Sequence, residues 1–214
     1  MVSVTQILDY FTEPELLAWY LREGKAKCEK ISTEAKRVGT AIDLMVKTSL
    51  RGQAQTVLGE SEEVLSCWIG WQAFLKYQPE FPQYVTGMQT EVTDGELIGH
   101  PDFELEIPGL GWGIIDLKTS KQIQPKHWTQ VVQYATLKAR QSQLPPAQFV
   151  GILRLDKRNG TYQYALETPD RPDYAAWFAY EQQVFQSYRM AYQHGITVRD
   201  RVRMILEEEA LDVA

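Results

Sequence analysis

Asp102, Asp116 and Lys118 bring two carboxylates and an ammonium into one short segment, and Gln130 and Tyr134 follow within a few turns of chain. Ile114 and Ile115 read as the middle of a buried strand bracketed by Gly113 and Ser120. Side chains on a strand alternate faces, so Asp116 and Lys118 point to one side and Leu117 to the other. Charges at the end of an apolar strand are poorly placed for packing. They are well placed to hold a divalent cation and a charged reactant. Asp102 belongs to the preceding strand, and Pro108-Gly109-Leu110-Gly111 is the turn signal between the two. Paired as a hairpin, these strands bring Asp102 and Asp116 onto one ion. Hard cations such as Mg2+ take a few carboxylate oxygens, with water and phosphate completing the shell.

Pro101-Asp102 followed by Asp116-Leu117-Lys118 resembles the two-part signature of the PD-(D/E)xK nuclease superfamily. Gln130 and Tyr134 resemble the Q-x-x-x-Y element of its RecB-type exonuclease branch, in its small, stand-alone, phage-like form. The resemblance implies a metal-dependent deoxyribonuclease of recombination, repair or phage DNA processing, with exonuclease action favoured over endonuclease. It implies one or two Mg2+ or Mn2+ ions held by Asp102, Asp116 and the Leu117 carbonyl. Lys118 would orient the attacking water and stabilise charge at the scissile phosphate. Gln130 and Tyr134 would contact the DNA backbone or order the site. The implied partners are DNA, a single-strand annealing or recombination protein, and further copies of the chain in a ring.

Ser3-Val4-Thr5, Leu17-Ala18-Trp19 and Gly39-Thr40 resemble the N-terminal arch of the phage-type members. Those members continue Gly-Thr with a histidine that touches metal, whereas here Asp43 holds that position. Asp43 is expected as an oxygen ligand, with a plain helix-surface aspartate as the alternative. The four-cysteine iron–sulfur cluster of some relatives is excluded by a chain with two cysteines, Cys28 and Cys67. No Walker-type glycine loop is present, so no nucleotide is expected. Two other readings stay open: a nuclease-like module that binds DNA or protein without hydrolysis, and a structure-specific endonuclease.

The composition suits one globular domain: 214 residues, 44% hydrophobic and 23% charged. No apolar run approaches the roughly 20 residues that span a bilayer. Residues 1–5 lack the basic and apolar regions of a signal peptide. With two unpaired, buried-type thiols, this reads as a cytoplasmic protein without membrane partners. A net charge of -6 argues against nucleic acid, but the segment from Lys118 to Arg158 holds eight Lys or Arg against Asp156 alone. That segment is expected to offer one phosphate-facing side.

The positioning elements follow from periodicity. Ser3–Phe11 reads as a short helix. Thr12-Glu13-Pro14-Glu15 reads as a capping box opening a second helix to Gly24. Ser32 or Thr33 starts a third, running to about Ser49. Ser61 caps a fourth with an aromatic stripe, Trp68, Trp71 and Phe74, expected in the core. Strands are expected at Met88–Val92, Leu97–Ile107, Gly111–Lys118, Phe149–Leu155 and Thr161–Leu166, with turns at Asp94-Gly95 and Asn159-Gly160. Glu91, on the first of these strands, is a candidate extra ligand, with a surface pair with a lysine as the alternative. Gln130 and Tyr134 share one face of a helix over Lys126–Gln141, with Trp128 nearby. Asp173–Tyr192 and a segment from Thr197 are the last two helices. The fold expected is α/β: a single domain with a central mixed sheet of about five strands flanked by helices, restriction-endonuclease-like. Within it, residues 1–85 are mostly helical, 86–168 form the sheet core and 169–214 the C-terminal helices.

Overall fold

The computed structural model describes residues 1–10 and 14–212, except for the side chains of 14–17, 20 and 196–212. In chain order the elements are β1 (Val2–Ser3), α1 (Val4–Leu8), α2 (Pro14–Glu23), α3 (Lys25–Leu50), α4 (Glu62–Tyr77), α5 (Phe81–Tyr84), β2 (Val85–Met88), β3 (Val92–Thr93), β4 (Leu97–Gly99), β5 (Phe103–Ile107), β6 (Gly111–Lys118), α6 (Pro125–Ser142), β7 (Phe149–Leu155), β8 (Tyr162–Glu167) and α7 (Tyr174–Asp212). Five strands form the expected mixed sheet, in the order β2-β5-β6-β7-β8. Within this sheet β6 and β7 pair in parallel and the other neighbours antiparallel. A small second sheet, β1-β4-β3, lies outside it.

The β5–β6 hairpin is the frame of the site. Leu110 N–H closes its turn onto Ile107 O at 3.0 Å, and Gly109 takes φ 78°, which a residue without Cβ adopts cheaply. The ladder pairs Ile107 with Gly111 and Phe103 with Ile115. One step further along this register, Asp102 stands opposite Asp116. Alternation along β6 then sorts the side chains. Ile115 and Leu117 join the core beneath α3 and α4 with Trp71, Phe74 and Phe103. Ile114 joins the core beneath α6 and α7 with Val131, Val150 and Phe185. The aromatic stripe of α4 is core, as expected: Trp71 and Phe74 are fully buried and stack at 5.5 Å.

The structure corrects several expected boundaries. Helix α3 begins at Lys25, seven residues before Ser32, because Gly24 at φ 83° separates it from α2. No side chain caps that start, so nothing local announced it. The capping box at Thr12 lies outside the described residues. The expected strand Leu97–Ile107 is two strands in different sheets. Pro101 lacks the N–H a ladder needs, and the chain changes partners there, from β1 and β3 to β2 and β6. Likewise Met88–Val92 is not one strand: Gln89, at φ 51°, separates β2 from β3. Asp94-Gly95 is the expected turn, with Asp94 Oδ1 accepting from Glu96 N and Leu97 N. The last helix runs unbroken from Tyr174 through the expected gap before Thr197. Among the described residues no helix is long and apolar enough to cross a membrane. Cys28 and Cys67 are free and buried.

Candidate active site

Asp102, Asp116, Leu117, Lys118, Gln130 and Tyr134 converge at one end of the sheet, with Asp43 on α3 at the rim. Asp102 sits where β5 begins. Its Oδ2 accepts the Leu117 backbone N–H at 2.7 Å, which ties it to β6. Its Oδ1 accepts from the ammonium of Lys47, on α3, at 3.0 Å. Its own carbonyl and that of Pro101 face the Gln89 N–H, at 3.3 and 3.1 Å, so the left-handed turn at Gln89 also braces it.

Asp116 is 3% exposed. Burial raises its carboxyl pKa to about 7; Lys118 opposes that rise and Asp102 adds to it. Lys118 Nζ approaches Asp116 Oδ2 to 2.5 Å as an ion pair, yet no hydrogen bond of good geometry reaches that buried oxygen. Burial works against the Lys118 charge, but Asp116 outweighs it, so the ammonium pKa is held above its ordinary value. In this state Lys118 is a proton donor and a fixed positive charge, not a base.

Helix α6 positions that charge. Gln130 Oε1 accepts from Lys118 Nζ at 2.8 Å. The Gln130 amide nitrogen donates to Tyr134 Oη at 2.7 Å and to Thr5 Oγ1 at 3.0 Å, and Thr5 Oγ1 lies 3.2 Å from Tyr134 Oη. Both Gln130 and Tyr134 are buried. They therefore order the site from beneath. Trp128, on the same helix, packs edge-to-face against Trp177 at 5.8 Å, on the side of α7.

Three contributors escaped sequence reasoning. Lys47 carried a local signal, since Asp43 lies one helical turn before it. Its neighbours Met45 and Val46 are core, which made a buried lysine unexpected. Thr5 lies in the Ser3-Val4-Thr5 run, where α1 starts under a Ser3 cap, but nothing local ties it to Gln130. Gln89 showed no signal.

Asp43 shares the groove with Asp102, Leu117 and Lys118. Its carboxylate pairs with Lys47 through Oδ1 and accepts from Gln89 Nε2 at 2.9 Å through Oδ2. Glu91 is exposed and faces His100 Nε2 at 3.8 Å. Five of the eight basic residues of the segment from Lys118 to Arg158 are engaged with acids. Lys118, Lys126, Lys138, Arg140 and Arg154 are each taken up by an acid: Asp116, Asp9, Glu104, Asp94 and Asp156. Of that segment, Lys118 and Lys157 line the groove, joined by Lys36 from α3. The groove is open and encloses about 700 Å³.

Among the described residues no three His, Cys, Asp or Glu side chains form a ready metal cage. The donor set still suits one hard cation. Asp116 Oδ2 is buried without an aligned partner, and Asp102 stands opposite with unused lone pairs on both oxygens. No family model matches this chain, and no curated protein matches it in sequence.

Proposed function

We propose that this chain is a divalent-cation-dependent nuclease that hydrolyses DNA phosphodiester bonds, acting as an exonuclease in preference to an endonuclease. The observation that carries the reading is the meeting of Asp102 and Asp116 at the end of the β5–β6 hairpin, where Asp102 Oδ2 accepts the Leu117 N–H, with Lys118 clamped between Asp116 and Gln130 beside an open groove. Lys118, Asp102 and Leu117 border a space large enough for a nucleotide, with Asp116 buried behind them. The buried Asp116 also carries the strongly raised pKa typical of functional carboxylates.

Asp102, Asp116 and the Leu117 carbonyl would hold the ion. A bound Mg2+ or Mn2+ supplies Lewis-acid activation of water and neutralises phosphate charge. The chain's own contribution is positional. Lys118 holds a positive charge where negative charge builds on the scissile phosphate, and Gln130 fixes its direction. An interaction made mainly in the transition state changes turnover more than binding. Lys36 and Lys157 give the groove its attraction for a phosphate backbone.

The test is degradation of linear and circular, single- and double-stranded DNA in Mn2+ and in EDTA. Wild-type protein is expected to degrade linear DNA in Mn2+ only. Lys118→Met is expected to lose cleavage yet bind DNA in Ca2+ within about threefold of wild type, because its charge serves the transition state. Wild-type protein that binds linear or nicked DNA but degrades none of it in Mn2+ would overturn the reading.

A further inference from the structure

We propose that the ammonium of Lys47 stands in the place of a second cation, so that the site takes a single divalent ion, between Asp102 and Asp116. The inference rests on the metal-dependent reading above and specifies its ion count.

Lys47 is 2% exposed. An ammonium taken out of water costs several kcal/mol unless its charge is matched. The match comes from two carboxylates on different elements: Asp43, one turn earlier on α3, and Asp102 Oδ1. That arrangement, two carboxylates converging on one cation, is what a second metal ion would require. Lys47 already fills it. The remaining Asp43 oxygen is spent on Gln89. Asp102 divides its oxygens, Oδ1 toward Lys47 and Oδ2 toward Leu117 N–H on β6. Only the Oδ2 side faces the strand that carries Asp116.

The charges agree. Asp43, Asp102 and Asp116 set against Lys47 and Lys118 leave one formal negative charge. One dication reverses it to a single positive charge, and a phosphodiester then brings the loaded site to neutrality. A second dication would leave two uncompensated positive charges in a partly buried site, where screening by water is weak. Two-ion sites place their metals about 4 Å apart. Here an ammonium lies 3.0 Å from the carboxylate that both ions would have to share.

The experiment is Mn2+ alone, titrated calorimetrically into metal-free protein and checked by counting bound Mn2+ after gel filtration. The expected result is one Mn2+ per chain in the wild type. Lys47→Met is expected to take up two, because Asp43 and Asp102 are then left facing each other without a cation. Asp43→Asn provides a second arm should Lys47→Met fail to fold. It is expected to keep one Mn2+ with affinity within about threefold of wild type, since Asp43 serves the lysine and not the ion. Two Mn2+ in the wild type, or loss of Mn2+ uptake in Asp43→Asn, would overturn the single-ion assignment alone. No Mn2+ uptake by the wild type would overturn the metal-dependent reading with it.

Discussion

Gln130 Oε1 accepts a hydrogen bond from Lys118 Nζ at 2.8 Å, and this contact joins α6 to the end of β6. Its other end is equally determined: the Gln130 amide nitrogen is held by Thr5 and Tyr134. A three-residue bracket thus sets where the Lys118 charge points. On the proposed function, its parts are graded by their distance from Lys118.

Gln130→Leu removes the acceptor and leaves the ammonium to Asp116. Turnover on linear DNA is expected to fall about 10–100-fold, the range seen when partners that orient site groups are removed, with little change in KM. Thr5→Val and Tyr134→Phe keep volume and each lose a hydroxyl with two hydrogen bonds, neither of them to Lys118, so each is expected to lower turnover less than Gln130→Leu. Single-turnover kinetics at saturating DNA check the order. A Thr5→Val variant as impaired as Gln130→Leu would place Thr5 nearer the reaction than the bracket does.

Gly99 is a second handle on Tyr134. A Cβ added there would lie 2.5 Å from the Tyr134 ring carbons Cδ1 and Cε1. Tyr134 is buried and bound at its hydroxyl, so the ring cannot yield freely. Gly99→Ala is expected to destabilise the chain by about 1–3 kcal/mol, the usual penalty for overpacking. Urea denaturation with an unchanged m-value measures it. A neutral result would show that the ring has room to move.

His127 governs part of the acid response. Its Nδ1 accepts the Gln124 backbone N–H at 3.1 Å, a bond the neutral ring makes. Burial, helped by Lys118 and Lys126, lowers its pKa from an ordinary 6.5 to about 3. Between those values the unfolded chain binds the extra proton and the folded chain does not. The stabilising contribution is therefore complete above pH 6.5 and is lost as pH falls toward 3, at about 1.4 kcal/mol per pH unit. Urea midpoints at pH 7, 5 and 4 are expected to fall more steeply for wild type than for His127→Gln. Parallel curves would assign the acid loss to other groups.

What the sequence by itself determined is local. The apolar run through Ile114 and Ile115, the Pro108-Gly109 turn and the two-residue alternation were enough to pair β5 with β6 and to place Asp102 opposite Asp116. The four-residue spacing of Gln130 and Tyr134 was enough to stack them on one helix. Strands β6 and β7 kept their expected limits because both are apolar and end at clear breaks. Strand and helix periods are properties of a few consecutive residues, so a reader of the chain can count them. What only the tertiary structure decided is which distant groups meet those residues. Lys47 reaches Asp102 across 55 positions, and Thr5 reaches Gln130 across 125. Those meetings depend on how α3 and α1 pack against the sheet and α6, and packing is driven by apolar burial, which has no direction of its own. The same apolar patterns on α3 would bury Met45 and Val46 with Lys47 facing either solvent or the carboxylates. The carboxylates decided it, because a buried ammonium is tolerated only where opposite charge is already waiting.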